Sequence, residues 1–410
     1  MHHANLFKNI IFLALIFFSF NLLANPPDST TNIRLAVVGD LMCHSPQFEA
    51  AKVSGDSFDF SLSFGRIKKY ISSADFAFGN LETVVAGNKI PLAGYPRFNT
   101  PPEFLSAIKN AGFDLLITAN NHALDQGEYG LKQTIKNIEE NNLSYEGTFL
   151  SQRDRDSIRI FNVKGIRISI LAYSYGTNGN PIPKDKNYLI NLINFKLIKN
   201  DIEKAREEKA QVVIVYLHFG KEYSRLPIQS QEVTVDSIIN FGADIILGSH
   251  PHVIEPANFY KTKNAKLDSG FVIYSLGNFI SNQRWRYSDS GTILYINIAK
   301  NNNSDSIKIK NVEYVPTWVF DGKIEDKDGY IILNSSNFLT DTSLNFLSYS
   351  DVQEICQAFY DTKQSLHRFT SKIYLYNDFH RLIPRDFNFP TDKTKFPKMK
   401  TIKEMVSKQN

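Results

Sequence analysis

Six side chains that can bind a divalent metal follow predicted β-strands at the points where those strands end. In chain order they are Asp40 (VVGD), Glu82 (GNLE), Asn121 (ANNH), His218 (YLHFG), and His250 and His252 (GSHPH). Carboxylate, amide and imidazole groups of this kind bind Zn, Mn or Fe. Because the carboxyl ends of strands form the ligand crevice of an open α/β sheet, we expect these groups to meet at one edge. The pattern predicts one or two divalent ions, with a bridging carboxylate holding two ions about 3.5–4 Å apart.

Each of these motifs alone is weak evidence. A single histidine after a strand is more often a hydrogen-bonded structural residue than a metal ligand. Four of the nine histidines nonetheless fall in three strand-end motifs, His122 in ANNH being the fourth. The alternating spacing of His250-Pro251-His252 predicts an extended loop that points both imidazoles to one side. Together the motifs favour a metal site.

Predicted strands and helices must position these groups. Along the chain, short apolar runs typical of strands alternate with segments whose apolar residues have helical spacing. Pro101-Pro102 opens one helix, and Gly112 and Gly242 are predicted left-handed caps of two helices. A single helix is predicted over residues 62–71, and Lys164-Gly165 predicts a β-hairpin. The predicted strands lie at residues 33–38, 75–78, 114–118, 158–163, 166–173, 212–217, 244–247, 271–275 and 292–298. The order of elements predicts an α/β fold.

Composition narrows the possible functions. The 410 residues include 46 Lys+Arg and 42 Asp+Glu, a formal net charge of +4, which is too small for a nucleic-acid-binding surface. With only two cysteines, Cys43 and Cys356, neither a disulfide scaffold nor a cysteine-built zinc site is available. We expect two unpaired, buried thiols, and any metal must be held by His, Asp, Glu or Asn.

The N-terminal segment, residues 1–24, has the features of a secretory signal. Lys8 precedes an apolar run over residues 10–20, and Ala24 offers a cleavage point. The run is shorter than the ~20 residues of a membrane span. We therefore expect an extracytoplasmic protein, in the periplasm or cell envelope. An uncleaved N-terminal membrane anchor is the alternative.

Several motifs in order resemble the CapA family, the capsule-synthesis family of poly-γ-glutamate biosynthesis, which is related to calcineurin-like metallophosphoesterases. They are VVGDLM, FGNLE, ITANNHALDQG, HFGKEY, GSHPHVIEP and SLGNF. The resemblance covers roughly residues 33–320, after a linker at residues 25–32. It implies a four-layer αββα sandwich with two mixed sheets face to face. For residues 321–410 we expect a mainly helical C-terminal extension that ends in a basic tail.

The resemblance also implies roles for the site residues. According to this resemblance, one metal would be bound by Asp40, Glu82 and His252. The other would be bound by Glu82, Asn121, His218 and His250, with Glu82 as the bridge. His122 would be a catalytic proton donor or charge stabiliser. One departure affects the first metal: metallophosphoesterases begin with Asp-x-His, but position 42 is methionine and His44 is out of phase with Asp40 in the strand. That metal therefore has fewer protein ligands than usual.

Two functions from different classes remain open. The first is a metal-dependent hydrolase or transferase that uses a metal-activated water on an anionic envelope polymer or peptide such as poly-γ-glutamate. The second is a non-catalytic component of a membrane polymer-synthesis or export complex, with a structural or vestigial metal site. A plain phosphoesterase is a lesser alternative. Residues expected to contact the substrate are Asn80, Tyr95, Arg97, Asn278, Arg284 and Arg286.

Overall fold

The computed structural model describes residues 29–324, 327–338 and 341–376. The expected signal segment and the basic tail after Pro384 lie outside these residues. Strand β1 (Thr30–Leu41) begins two residues into the described part of the chain, because Thr30 and Thr31 pair with Asn301 and Lys300. The last residues of the expected linker thus belong to a strand.

The larger sheet has nine strands in the described part of the chain and is mixed. Its main path is β16-β15-β14-β1-β4-β5-β6, with β13 beside β1 and β17 beside β15. Strands β1, β4, β5 and β6 run parallel, whereas β14, β15 and β16 are antiparallel to their neighbours on the main path. Strand β17 pairs parallel with β15. Besides β1, its strands are β4 (Phe76–Leu81), β5 (Leu115–Ile117), β6 (Ser144–Glu146), β13 (Asn278–Ile280), β14 (Ser290–Asn301), β15 (Ile307–Ile324), β16 (Lys327–Asn334) and β17 (Ile373–Leu375).

The second sheet has six strands among the described residues, in the order β11-β12-β10-β9-β8-β7. Its four inner strands are parallel and its two edge strands antiparallel. The predicted hairpin is confirmed as β7–β8, with Lys164 and Gly165 both at positive φ. The strands are β7 (Phe161–Val163), β8 (Ile166–Ser174), β9 (Val212–His218), β10 (Ile245–Ser249), β11 (Ala257–Lys261) and β12 (Ser269–Ile273), and a separate ribbon is formed by β2 (Lys52–Ser54) and β3 (Ser57–Phe58).

Helices connect the parallel strands. They are α1 (Ser45–Ala50), α2 (Ser61–Gly65), α3 (Lys68–Ile71), α4 (Glu103–Ala111), α5 (Gly127–Glu140), α6 (Gln152–Asp156), α7 (Phe195–Glu207), α8 (Gln229–Phe241) and α9 (Tyr349–Leu366), with 3₁₀ turns at Asn187–Leu189 and Thr342–Leu344. The glycine caps are confirmed, at φ +107° for Gly112 and +104° for Gly242. The single helix predicted over residues 62–71 is wrong. The chain forms α2 and α3 instead, since Gly65 weakens the helix at that point.

The two sheets pack face to face, as expected. Tyr216 on β9 donates a hydrogen bond from its hydroxyl to the Val38 carbonyl oxygen on β1, 3.4 Å away. On its other face the second sheet is covered by α7 and α8, whose Ile198, Ile202 and Val235 side chains are buried against it. Burying such apolar side chains on both faces of the second sheet stabilises the layers by roughly 1.5–3 kcal/mol each.

The chain beyond residue 320 contributes both strands and a helix. Strand β15 continues to Ile324, and β16 and β17 pair with it. Helix α9 packs on this corner of the sheet through Ile355 and Cys356, against Trp318 and Phe320. Cys43 and Cys356 are free and buried, as predicted. Within residues 29–376, as far as they are described, no helix is long and apolar enough to cross a membrane.

Candidate metal site

Parallel pairing aligns the strand ends within each sheet. The packing of the two sheets brings the two sets of ends together. Asp40 on β1 lies opposite Asn80 on β4 and Asn278 on β13. In the second sheet, His218 at the end of β9 lies opposite Ser249 at the end of β10. The loops that follow β5 and β10 carry the asparagine and histidine motifs to the same place. The predicted meeting of these groups is therefore observed, but it joins the strand ends of two sheets and not one edge of a single sheet. Asp40 and Glu82 come from strands of the larger sheet, whereas His218 and His250 come from strands of the second.

The buried carboxylate of Glu82 lies at the centre of the site. Its Oε1 atom is 3.5 Å from Nε2 of His218 and 3.8 Å from Nε2 of His252. Neither carboxylate oxygen of Glu82 has a hydrogen-bond partner among the described residues. Leaving such oxygens unsatisfied in the interior is costly, because ionised groups away from water need a charge partner. A divalent cation would satisfy them.

The possible ligand atoms form groups of metal-binding size. Atoms of Glu82, His218 and His250 lie within 4.8 Å of one another, as do those of Asp40, Glu82 and His252. Glu82 belongs to both groups, as a bridging carboxylate must. The residues present therefore fit a divalent metal site with room for two ions.

Burial keeps His218 and His250 neutral, which is the form of histidine that binds metals. Desolvation lowers the pKa of His250 to about 3 and holds the pKa of His218 well below its usual value. Burial, followed by the neighbouring Asp40 carboxylate, raises the pKa of Glu82 well above its usual value. Crowded carboxylates beside neutral imidazoles form an electronegative cavity that attracts cations.

Asn278 orients His252 from behind. Its side-chain oxygen lies 3.1 Å from Nδ1 of His252, and its amide nitrogen donates to the Ser288 carbonyl oxygen and to Gln283. This contact fixes the imidazole with Nε2 facing Glu82. Asn278 was expected to contact the substrate, but it is only 1% exposed and lies beneath the site. It acts on the site through His252.

Asn80, another expected substrate contact, is also fully buried. Its amide nitrogen donates to Asp40 Oδ1 at 2.7 Å and lies 3.2 Å from Nδ1 of His218. The Ser249 hydroxyl donates to the same oxygen of Asp40, and Asn120 donates to Asn80 Oδ1. Ser249 and Asn120 were not predicted as site residues, although each directly precedes a predicted site residue.

Asn121 lies with the metal ligands, whereas His122 lies apart from them. Oδ1 of Asn121 is 2.8 Å from Nε2 of His218. His122 instead donates from Nδ1 to Asp125 Oδ2 at 2.7 Å, and its Nε2 lies 3.4 Å from the amide nitrogen of Asn178. Asp125 was missed as a site residue, although its position three residues after His122 in NNHALD was a signal.

The loop at His250-Pro251-His252 is not extended, contrary to prediction. His250 and His252 have φ values of +97° and +58°, in the left-handed region that non-glycine residues rarely occupy. Backbone hydrogen bonds from Phe219 to Ser249 and from Tyr223 to Pro251 tie this loop to the one after β9. The turn still brings both imidazoles to one side, with ring centroids 5.9 Å apart.

The three predicted substrate-binding arginines bond to the protein itself. Arg97 donates to the Asp125 carbonyl oxygen at 2.8 Å, and Arg284 donates to the Val319 carbonyl oxygen. Arg286 makes a two-pronged pair with Asp361 on α9, at 2.9 and 3.0 Å. The structure thus places Arg284 and Arg286 against the C-terminal part of the chain.

Exposed aromatic side chains surround the metal ligands instead. Tyr175 lies over His250 with ring centroids 4.5 Å apart, and Tyr223 lies 5.9 Å from His252 and 5.1 Å from Trp285. Tyr95, an expected substrate contact, is 73% exposed. We call Tyr95, Tyr175, Tyr223 and Trp285 the aromatic rim. Tyr175 and Tyr223 were not singled out from the sequence.

The departure at position 42 persists in the structure. Met42 is buried, its backbone N–H donates to Ile280, and its sulfur accepts a weak hydrogen bond from Ser281. His44 caps the start of α1, where Nδ1 lies 3.2 Å from Gln47 Oε1. Neither residue belongs to a group of metal-binding size in the described chain.

Residues 34–283, more than half of the chain, match the family described as bacterial capsule synthesis protein PGA_cap. The chain belongs to this family. Every metal-binding candidate of this PGA_cap protein lies inside the matched range.

The capsule biosynthesis protein CapA of Bacillus anthracis is 31% identical over 271 residues, covering 64% of this chain and 63% of that protein. The PGA biosynthesis protein CapA of Bacillus subtilis is 28% identical over 250 residues, covering 58% and 61%. The match thus spans about three fifths of these relatives.

Solved structures similar to this PGA_cap protein are distant. The NAD nucleotidase of Haemophilus influenzae has a TM-score of 0.45 at 12% identity, covering 85% of this chain and 64% of that one. The calcineurin-like phosphoesterase YfkN from Bacillus subtilis has a TM-score of 0.41 at 14% identity, covering 82% and 98%.

Proposed function

We propose that the protein is a metal-dependent hydrolase or transferase that acts outside the cytoplasm on a capsule or poly-γ-glutamate-type polymer. Membership of the PGA_cap family supports the polymer class. The features of residues 1–24 support the location. One observation supports the metal chemistry above all: the buried Glu82 carboxylate has two unpartnered oxygens and lies in two groups of potential ligands.

In this proposal Asp40, Glu82 and His252 would hold one ion, and Glu82, Asn121, His218 and His250 would hold the other. When bound, divalent ions supply Lewis acidity, which polarises a substrate carbonyl and makes water more acidic. Asn80 and Asn278 keep the ligands oriented, as outer-shell groups do in metal sites.

His122 is the proposed proton donor. Its Nδ1–H is held by Asp125, so Nε2 is the atom that exchanges a proton with the substrate. Because His122 lies outside the groups of metal ligands, it can carry a proton without releasing an ion.

The aromatic rim supports an extended substrate. Flat side chains that are both exposed and close to the ligands can cover the backbone of a polymer, and each contributes apolar contact area. We propose an anionic γ-linked or other envelope peptide, in keeping with the mild positive charge of the chain. With the three arginines engaged elsewhere, its carboxylates would face the metal ions.

The test is to incubate the mature chain, from Asn25, with Mn or Zn and with poly-γ-glutamate, peptidoglycan stem peptides or a phosphomonoester. We expect metal-dependent shortening or transfer of an anionic peptide, followed by mass spectrometry, and poor turnover of the phosphomonoester. Fast phosphomonoester hydrolysis without polymer binding would make the protein a phosphoesterase.

A non-catalytic role in a polymer-synthesis complex is the second candidate. The buried methionine at position 42 favours it, because one ion then lacks a ligand that metallophosphoesterases use. Polymer binding that yields no metal-dependent product would support this candidate over the enzyme.

A further inference from the structure

We infer that Glu222, on the loop after β9, is a ligand of the metal site and binds from its solvent side. This inference rests on the metal site of the proposed function and not on the reaction. The side chain is exposed, whereas Asp40 and Glu82 are buried. Glu222 would thus add a donor to the six predicted from the sequence.

Geometry places Glu222 within reach of two site histidines. Its carboxylate oxygen and one ring nitrogen each of His250 and His252 all lie within 4.8 Å of one another. Two atoms bound to the same zinc ion at about 2.1 Å in tetrahedral geometry lie about 3.4 Å apart. Shifts of at most about 1.4 Å would therefore bring all three atoms onto one ion, and the exposed side chain of Glu222 is free to make them.

The backbone holds Glu222 in this place. Tyr223, the next residue, has φ +61° and donates its N–H to the Pro251 carbonyl oxygen at 2.8 Å, between the two histidines. Gly220 has φ +114° and contacts the Gln231 side chain, where a Cβ atom would lie 2.6 Å from Nε2. Gln231 is itself fixed by hydrogen bonds to Ile228 and Glu255. The short segment 220–223 is therefore held at both ends, against Gln231 at one end and against the histidine loop at the other.

Unpartnered groups around Glu222 also point to a cation. Nδ1 of His250 is buried and has no hydrogen-bond partner in the described part of the chain. With Glu82 and Asp40, Glu222 makes a third carboxylate around the site histidines, and like charges this close repel one another unless cations lie between them. A hard carboxylate oxygen suits Mn or Zn.

The test is metal binding, measured on the full mature chain without substrate. The metal-free protein is titrated with MnCl₂ and ZnCl₂ by calorimetry, and bound metal is counted by elemental analysis. We expect wild type to bind two equivalents and Glu222→Gln to bind one of them at least about tenfold more weakly, since even outer-shell changes cost 10–100-fold. Glu222→Asp keeps the carboxylate, so it should retain part of the metal affinity that Glu222→Gln loses.

The matched control is Glu232→Gln, which removes an exposed carboxylate from the first turn of α8. It should bind metal as wild type does. Wild-type affinity in Glu222→Gln, or an equal loss in both variants, would overturn the inference. Absence of metal from wild type would overturn the site as a whole. Wild type could bind two ions and yet process no polymer, while Glu222→Gln loses metal. That result would support Glu222 as a metal ligand and reject the proposed reaction.

Discussion

Nδ1 of His122 lies 2.7 Å from Oδ2 of Asp125, and both side chains are almost wholly buried. Asp125 Oδ2 also accepts the backbone N–H of Phe98, at 2.9 Å, so the carboxylate is fixed independently of the histidine. Phe98 in turn packs its ring edge-on to His122, with centroids 4.8 Å apart. The imidazole is thus oriented on two sides, as a residue that transfers protons at a defined atom must be.

Replacing His122 should separate proton transfer from metal binding. His122→Ala is expected to lower turnover of the polymer about 10²-fold or more while metal content stays constant. Asp125→Asn should lower turnover less and leave metal content unchanged, because it disturbs only the orientation of the ring. Thermal unfolding of both variants serves as the control for folding. Equal loss of metal and activity in His122→Ala would mean that this residue is a ligand.

Metal content should depend on His250. Protein purified without chelator is expected to carry one to two equivalents of Zn, Mn or Fe by elemental analysis, and His250→Ala should lower that number. His44→Ala is the matched control, because His44 lies outside the groups of ligands. Chelation should lower the melting temperature of wild type, as removal of a native-state ligand does. Metal-free wild type under metal-replete conditions would contradict the site.

The metal-free protein should lose stability in acid through His250. Burial lowers the pKa of His250 to about 3, so between pH 6.5 and pH 3 the unfolded chain binds a proton that the folded chain does not. Stability therefore falls as pH decreases through this window. His250→Gln removes this contribution. Its free energy of unfolding relative to wild type should rise by about 3 kcal/mol between pH 7.5 and pH 4.5 in EDTA. A constant difference between the two proteins across that range would show that His250 is not held neutral.

The aromatic rim should determine KM for the polymer. Trp285 is 50% exposed and contacts Tyr223 edge-on, so Trp285→Ala removes contact area without touching a metal ligand. We expect KM to rise roughly 3–10-fold, in line with the energy of one aromatic contact, while kcat and metal content stay constant. Tyr374→Ala, an equally exposed aromatic on β17, is the control. A change in kcat alone would assign Trp285 a different role.

The positions of the metal ligands were predictable because they depend on local order. Asp40, Glu82, His218 and His250 each lie at the end of an apolar strand or directly after it, and parallel pairing aligns those ends within each sheet. The packing of the two sheets on each other then brings the two sets of ends together. The glycine caps at 112 and 242 were predictable for the same reason, since a left-handed cap is a property of the residues at the end of one helix.

Tertiary structure decided which other groups face the site. Arg286 lies beside Trp285 in sequence, yet it pairs with Asp361, 75 residues further on, and that partner depends on how α9 packs. Asn278 lies beneath His252 because β13 pairs with β1, from the other end of the chain. Glu222 approaches the histidines only because two loops of neighbouring strands are hydrogen-bonded to each other. Contacts of this kind join distant segments whose meeting is set by the packing of the whole core, so no local pattern of residues predicts them.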